Sequence, residues 1–347
     1  MIKSVFIFLV CTLISFSSIS QGIKYDSILT KFEDFGKHLL YRNHDTAYIK
    51  SYAEILNVKL LGINKINFFQ ATGSQSDATV RYRPDRQINL GIGVAYKWFA
   101  IDLAFNVGIQ EKSDIENSNF FDFQGTIFNS KQMISASLQY YYGYQLSDYS
   151  GFPIENGSNK NIAREDVRTT LISLQYLFAY NYDKFSIKAP FILNEVQRKS
   201  AGSLLLGGSF KSFVMDADST LAPSQSVGLV EFPVTDVNNL RVGMNLGYMY
   251  SFVFLDGFFI TLSFIPEIGV NIGDYQANYR TQFDRHISFG YKTMSALGYN
   301  SERFYTGLQV IGESFNINLD DQYKMWVGNG KAKFFIGYRF GNGKKQG

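Results

Sequence analysis

The chain has 347 residues and a nearly balanced charge, with 33 Lys and Arg against 30 Asp and Glu, and it contains no basic block, so we expect no binding to nucleic acid. Aromatic residues make up 16% of the chain, which excludes a disordered protein, and charged residues make up only 18%. A single cysteine and three histidines exclude a disulfide scaffold and a cysteine-based zinc or iron–sulfur site, and we expect neither a metal nor a cofactor.

Residues 1–20 have the pattern of a secretory signal peptide. Lys3 supplies a positive charge, an apolar run follows from Val5 to Phe16, and small residues lead to Gln21. The run is shorter than the roughly 20 apolar residues that a membrane-spanning helix requires, so we expect cleavage near Ser20 and export. Cys11 lies inside the run, and the mature chain would therefore contain no cysteine.

Residues 21–53 are predicted to form a periplasmic segment with one short helix. Between Tyr25 and Leu40, apolar side chains recur at steps of four, three and four residues, which is the helical period. These apolar positions are Ile28, Phe32, Phe35 and Leu39. We expect the helix to pack on one end of the domain that follows.

From residue 54 to residue 340 the apolar period is two, which predicts β-strands. The clearest example runs from Gln87 to Trp98, and a strand of opposite parity starts at Phe99, so that the two form a hairpin. The same alternation recurs near 132–145, 168–181, 239–252, 257–270, 302–315 and 331–340. Residues 341–347 form a C-terminal tail in this interpretation.

The alternation fits a soluble sandwich or a membrane barrel, and four features favour the barrel. The predicted strands are about 10–14 residues long, against about five or six in sandwiches. Their polar faces carry small and amide side chains rather than Lys and Glu. Aromatic residues gather at strand ends, and tight turns alternate with long connections. We predict an all-β fold, a transmembrane, antiparallel, up-and-down β-barrel in the outer membrane of a Gram-negative bacterium.

The number of strands is harder to predict from the pattern than the fold class. The pattern gives 13 candidates, whereas bacterial single-chain barrels have an even number. The count becomes 12 if residues 185–213 form one long bent strand, and 14 if a weak strand lies within 220–232. We predict 12 strands, with 14 as the alternative.

Short motifs are spread over nearly all of the mature chain. They are Asp45-Thr46, Tyr48-Ile49, Arg81-Tyr82-Arg83-Pro84, Leu90-Gly91-Ile92-Gly93, Tyr96-Lys97-Trp98, Lys184-Phe185-Ser186, Gln197, Lys199-Ser200-Ala201-Gly202-Ser203, Leu206-Gly207-Gly208, Asp218-Ser219-Thr220-Leu221 and Pro223. Together they resemble the uncharacterised DUF4421 family of outer-membrane barrels from Bacteroidetes, although Asp85 stands where such proteins often carry Asn. The resemblance implies a location and a fold, and no activity.

One constellation could support nucleophilic catalysis. His286 and Ser288 share a face of a predicted strand, and Asn300 follows 12 residues after the serine. The histidine could act as base for the serine hydroxyl while the amide orients it, an arrangement similar to outer-membrane phospholipases and lipid A deacylases. However, the pair would point into the lumen, and Phe289 stands where such phospholipases carry Asn. We therefore expect no enzymatic activity and keep a lipid hydrolase as the alternative.

Nine charged side chains fall on the polar faces of the predicted strands and are expected to line the lumen: Lys97, Asp102, Lys188, Arg241, Glu267, Lys292, Glu313, Lys333 and Arg339. Both signs would pair in a narrow interior, because an unpaired buried charge is costly. Such a network either closes the barrel or lines a selective channel for a small solute.

The leading functional interpretation is a non-enzymatic outer-membrane barrel, either a small-solute pore or an accessory subunit of an envelope assembly. A purely structural barrel is a further alternative. The expected partners are outer-membrane lipid and another envelope protein, which would bind the 21-residue loop from Leu146 to Asp166.

Overall fold

The computed structural model describes residues 44–73, 79–85, 88–96, 99–107, 115, 118–129, 131–150, 162–221, 232–277 and 280–341. The predicted signal peptide, the predicted helix between Tyr25 and Leu40, and all of the tail after Gly341 lie outside these residues. Within the described ranges no helix is long and apolar enough to cross a bilayer.

The described part of the chain is built from β-strands joined by turns. The strands are β1 (Ile49–Ser51), β2 (Leu56–Gly73), β3 (Thr79–Arg83), β4 (Ile88–Tyr96), β5 (Phe99–Asn106), β6 (Asn119–Phe128), β7 (Gln132–Ser150), β8 (Ile162–Ala179), β9 (Glu195–Gln197), β10 (Ala201–Asp216), β11 (Asp236–Phe254), β12 (Phe258–Gln276), β13 (Arg280–Asn300), β14 (Phe304–Asn318) and β15 (Tyr323–Phe340).

The long strands close into an antiparallel barrel, which confirms the predicted fold class. Around the ring the order is β2, β15, β14, β13, β12, β11, β10, β8, β7 and β3, and β3 returns to β2. The pairing of β15 with β2 closes the ring along its whole length, from Phe340 opposite Leu56 to Tyr323 opposite Gly73. Because both edges of the sheet meet there, those strands leave no free edge.

The closed ring contains ten strands, whereas we predicted 12. The difference arises because the predicted strand 80–98 is interrupted after Arg83, where Pro84 cannot donate to a ladder. Its first part, β3, joins β2 to β7 toward one end of the barrel. Its second part, β4, instead pairs with β2 and β5, while β6 pairs with β7. The wall therefore has twelve strands in that half, with no pairing between β5 and β6 in the ranges described.

The predicted long strand at 185–213 is wrong in its first part. Residues 185–194 form turns, β9 follows, and β10 starts only at Ala201. Nearly all of these turn residues are buried rather than alternately buried, and Leu193 has a positive φ of 68°, which a strand does not allow. Residues 185–197 enclose part of the barrel interior, and we call them the lumen plug. The alternative strand within 220–232 falls largely outside the described residues.

The outer face of the barrel is apolar. On β11, for example, Leu246 is 58% exposed while its neighbour Asn245 is 3% exposed, so the strand turns its aliphatic side chains outward. The same holds around the wall, where the exposed apolar residues include Leu206, Leu240, Val242, Met244, Leu262, Phe264, Ile268, Ile287, Phe289, Leu308 and Ile336. A continuous apolar exterior with a polar interior is the arrangement of a barrel that spans a membrane.

The interior is filled at both ends by apolar clusters. The cluster toward the short-turn end includes Phe185, Ile187, Phe191 and Leu193 of the lumen plug. The cluster toward the long connections includes Leu221, Phe232 and Val234, which follow β10 and precede β11. Two interior cavities have volumes of only about 20 and 10 Å³, room for about one water molecule each.

Candidate functional site in the barrel lumen

Between the two apolar clusters lies a layer of buried charges centred on Glu267 of β12. Its carboxylate accepts hydrogen bonds from Lys211 Nζ at 2.6 Å, Arg241 Nε at 2.7 Å, Ser209 Oγ at 2.8 Å and Asn245 Nδ2 at 3.2 Å. Register explains this convergence, because β10, β11 and β12 are neighbours and all five residues share the inward parity. Four donors satisfy a carboxylate that is 2% exposed.

Arg241 extends this layer toward β13. Its guanidinium donates to the side-chain oxygen of Asn271 at 3.3 Å, to the carbonyl of Ser288 at 3.1 Å and to the Ser288 hydroxyl. The Phe315 ring lies 5.7 Å from the guanidinium and 5.2 Å from the Lys211 ammonium. The guanidinium thus donates four hydrogen bonds, to Glu267, Asn271 and Ser288, and lies near an aromatic ring, which suits a cation removed from water.

Gly269 makes room for this guanidinium. A Cβ at residue 269 would lie 2.7 Å from Arg241 Cζ, closer than any normal contact. We therefore expect Gly269→Ala to lower the free energy of unfolding by about 1–3 kcal/mol through overpacking. The control is Gly312→Ala on β14, where the nearest atom would be 3.7 Å away. Urea unfolding in detergent micelles measures both, and equal effects at the two positions would contradict a tight fit at Arg241.

Of the three catalytic candidates, His286 and Ser288 lie near each other, since Asn271 Nδ2 is 3.3 Å from His286 Nε2 and 2.7 Å from Ser288 Oγ, but Asn300 does not join them. His286 Nε2 accepts from the Asn318 backbone N–H at 3.1 Å, and Ser288 Oγ accepts from Asn271 Nδ2 at 2.7 Å as well as from Arg241. Asn300 lies 14 residues from His286 on β13, roughly 45 Å along an extended strand. The serine hydroxyl is buried inside the charged layer, and the amide at residue 300 cannot orient the histidine.

The lumen plug is held by its own polar contacts. Gln197 Oε1 accepts from the Ser186 N–H at 2.9 Å, and Gln197 Nε2 donates to the carbonyls of Lys184 at 2.7 Å and Lys199 at 3.0 Å. The Glu195 carboxylate pairs with Lys188 Nζ at 2.5 Å and accepts from the Ser186 hydroxyl. Burial alone would raise the pKa of Glu195, but these partners outweigh it and hold that pKa below its usual range.

The plug is also anchored to the wall. Gln309 Nε2 on β14 donates to the Pro190 carbonyl at 2.7 Å, and the Phe191 ring stacks on Phe128 at 6.3 Å. Arg339 on β15 donates to the Leu193 carbonyl and, at 2.7 Å, to Asn300 Oδ1. These contacts come from opposite sides of the barrel, so the plug reaches across the lumen at this end.

A third group of charges lies behind β5 and β6. Asp102 of β5 contacts Lys59 Nζ at 2.9 Å and Lys333 Nζ at 2.8 Å. Asp122 of β6 contacts Lys65 Nζ at 3.2 Å. The two carboxylates differ in burial, since the Asp102 side chain is 25% exposed and the Asp122 side chain is 0% exposed.

The residues predicted to line the lumen have different positions in the structure. Lys97 lies outside the described residues. Lys188 lies in the plug and not on a strand, contrary to the expectation. Lys292 donates to Gln175 across the barrel, and Glu313 accepts from Asn329 Nδ2 at 3.0 Å.

The predicted partner-binding loop is shorter than expected, because β7 extends to Ser150 and β8 begins at Ile162. The residues between them lie outside the described ranges, and partner binding there stays a prediction.

Several buried or partly buried charged side chains were not among the residues predicted to line the lumen. Lys59, Lys65, Lys211 and Lys331 all lie on predicted strands, and their parity could have identified them as inward-facing. Glu195 could not have been found in this way, because it lies outside the wall strands. In the ranges that the structure describes, no group of His, Cys, Asp or Glu has the geometry to hold a metal ion.

Comparison with known proteins gives a family and three weak structural similarities. A family model described as "Domain of unknown function (DUF4421)" matches residues 43–340, and no curated protein matches. The outer-membrane protease OmpT of Escherichia coli is 7% identical, with 84% of this chain and 98% of that chain covered and a TM-score of 0.38. OmpT of Vibrio cholerae is 8% identical, with 83% and 99% covered and a TM-score of 0.28. The toluene transporter TodX of P. putida is 7% identical, with 87% and 95% covered and a TM-score of 0.25. These scores support no statement about function.

Proposed function

The chain belongs to the DUF4421 family of domains of unknown function, and from this premise we propose that it is a non-enzymatic outer-membrane barrel whose lumen is closed to solutes. Such a barrel would serve as an accessory subunit of the envelope rather than as a pore. Export by the predicted signal peptide, with cleavage near Ser20, is part of this proposal.

The apolar exterior supports insertion into a membrane. The wall strands turn aliphatic side chains outward over most of their length, and aromatic side chains such as Tyr248, Phe252, Phe258 and Tyr299 gather at the short-turn end. Aromatic rings at the boundary between lipid and water are typical of transmembrane barrels. A chain that is exported and spans a membrane as a barrel belongs in an outer membrane, because only there do such barrels occur in bacteria.

The proposal that the lumen is closed rests on the observation that side chains fill it. The lumen plug blocks one end, the cluster around Leu221 and Phe232 blocks the other, and the charged layer lies between them. A channel for solutes needs a continuous polar path, and the two interior cavities noted above have room for about one water molecule each. The small-solute pore is therefore the alternative that the following experiment tests.

We expect the purified, refolded protein to give no conductance above that of the bare membrane in planar lipid bilayers. The physical reason is that both apolar clusters would have to separate before an ion could pass, and each buries many side chains. An open porin reconstituted in the same way is the positive control, and heat-modifiability on gels confirms that the protein is folded. Discrete and reproducible single-channel steps from the folded wild-type protein would overturn the closed state and favour the pore.

A further inference from the structure

Among the described residues, two strand edges of the barrel wall are not paired with each other. β5 pairs only with β4 and β6 only with β7, and no pairing joins β5 to β6 among the residues described. We call the space between these two strand edges the lateral seam. Unpaired N–H and C=O groups facing hydrocarbon cost several kcal/mol each, so such an edge persists in a membrane only beside water or a polar ligand.

Two inward-facing side chains of β6, at the lateral seam, are more accessible than those of β11. On β11 the inward-facing residues Arg241, Gly243 and Asn245 are all buried. On β6 the inward-facing Gln124 and Thr126 are only partly buried. The polar interior is therefore less completely covered at this strand edge than at β11.

The interior behind the lateral seam carries an excess of positive charge. Lys59, Lys65, Lys331 and Lys333 face only Asp102 and Asp122, so four ammonium groups meet two carboxylates in the described residues. The adjacent Lys292 has Glu313 as its nearby carboxylate. Among the described residues, two of these positive charges are thus not matched by a carboxylate.

One of these ammonium groups has neither a hydrogen bond nor an ion pair to any described residue. It belongs to Lys331 on β15, which points inward and is partly buried. Its charged neighbours are Lys333, Lys292, Asp122 and Asp102. A partly buried lysine that has no hydrogen-bonded counter-charge among the described residues favours the binding of an anion.

We propose that the lateral seam binds an anionic amphiphile from the membrane, with its head group at Lys331 and Lys333. The apolar chain would remain outside the wall, against the exposed side chains of Leu103 and Phe105 on β5 and of Phe121 and Phe123 on β6. A phosphate or carboxylate supplies both the missing negative charge and acceptors for backbone N–H groups at the strand edges. This site is reached sideways from the lipid, and it is therefore compatible with a lumen that is closed along its axis.

Photolabelling in nanodiscs tests the site. The full mature chain is reconstituted in phosphatidylcholine that contains a trace of phosphatidic acid bearing a photoreactive group in its acyl chain, or of phosphatidylcholine bearing the same group. We expect phosphatidic acid to label the β5 and β6 peptides about tenfold more than phosphatidylcholine does, as a charge-assisted hydrogen bond predicts. Lys331→Gln should remove this preference and Lys331→Arg should keep it. The matched control Lys324→Gln, on the same strand but exposed at its other end, should leave it unchanged.

Five results would overturn the proposal. Equal labelling by the two lipids, or labelling spread evenly around the wall, would exclude an anion site. A preference that survives Lys331→Gln would exclude this lysine as the head-group ligand. Loss of labelling on addition of inorganic phosphate alone would assign the site to a free anion. Cross-linking of two copies through Phe105→Cys, with no lipid label, would assign the seam to a second copy. None of these outcomes depends on conductance, so the closed lumen is tested separately.

Discussion

Glu267→Gln should lower the free energy of unfolding by about 3–5 kcal/mol, because it leaves buried cations without their counter-charge. Lys211 and Arg241 both pair with this carboxylate, and their side chains are 3% and 0% exposed. Glutamine has nearly the same size as glutamate and can still accept from Ser209, so the effect reports charge and not lost volume. Urea unfolding in phospholipid vesicles, followed by heat-modifiability on gels, measures it.

A second substitution separates charge pairing from general damage. Lys211→Met alone removes one of the two cations that pair with Glu267. In the Glu267→Gln background the same substitution removes a cation that has lost its counter-charge. The loss of unfolding free energy in the double variant should therefore be smaller than the sum of the losses in the two single variants. Glu302→Gln, which breaks the exposed pair with Lys50, should leave the free energy of unfolding unchanged within error. Strictly additive effects of Glu267→Gln and Lys211→Met would show that the buried layer is not held by pairing.

The face of the strand on which each side chain lies could be predicted, because successive side chains of a strand point to opposite faces. The alternation from Leu240 to Tyr250 assigns Leu246 to one face and Asn245 to the other, and the structure has the first outside and the second buried. The partners of each buried charge could not be predicted. Arg241 meets Glu267 because β11 and β12 pair with a register in which Asn245 lies opposite Glu267, and this register depends on turn geometry.

The lumen plug was missed because its pattern imitates a strand. Apolar residues at 185, 187, 189, 191 and 193 have a period of two, but the residues between them are also buried, by plug and wall together. Periodicity reports one buried face and cannot recognise a segment that is enclosed on all sides. Motif residues did mark the place: Ser186 and Gln197, which belong to the family resemblance, form the hydrogen bond that fixes the plug.

The lateral seam could not be predicted either. Alternation in β5 and β6 is as regular as elsewhere, and only the lengths of the strands distinguish them. β5 has eight residues and β6 ten, whereas β7 has 19, so both strands are shorter than the neighbouring wall. Sequence patterns locate strand ends poorly, and here the ends decide whether two edges meet.

Leu246→Arg should destabilise the membrane-inserted barrel by about 2–4 kcal/mol, because it places a guanidinium in the hydrocarbon region. Leu246 lies near the middle of β11, and the outward residues on either side, Met244 and Tyr248, are also exposed. The matched control is Leu255→Arg in the turn that follows β11, where the side chain is 79% exposed and the cost should fall to about 0–1 kcal/mol. Unfolding from phospholipid vesicles compares the two variants directly, and equal costs would place residue 246 in water.

Thiol labelling then identifies the solvent on each face. In the mature chain, which we expect to lack cysteine, Leu246→Cys should react with an apolar maleimide confined to the bilayer and resist a charged, water-soluble one. Asn245→Cys should resist the apolar reagent, because the new thiol would lie inside the barrel, in the polar layer around Glu267. In the wild-type protein Asn245 Nδ2 donates to the Glu267 carboxylate there at 3.2 Å. Arginine is unsuitable at residue 245, since it would add a cation beside Lys211 and Arg241 in a space that is already filled. Reaction of the Asn245→Cys variant with the bilayer-confined reagent, while the Leu246→Cys variant stays inert, would reverse the two faces of β11 and with them the lipid-facing exterior of the barrel.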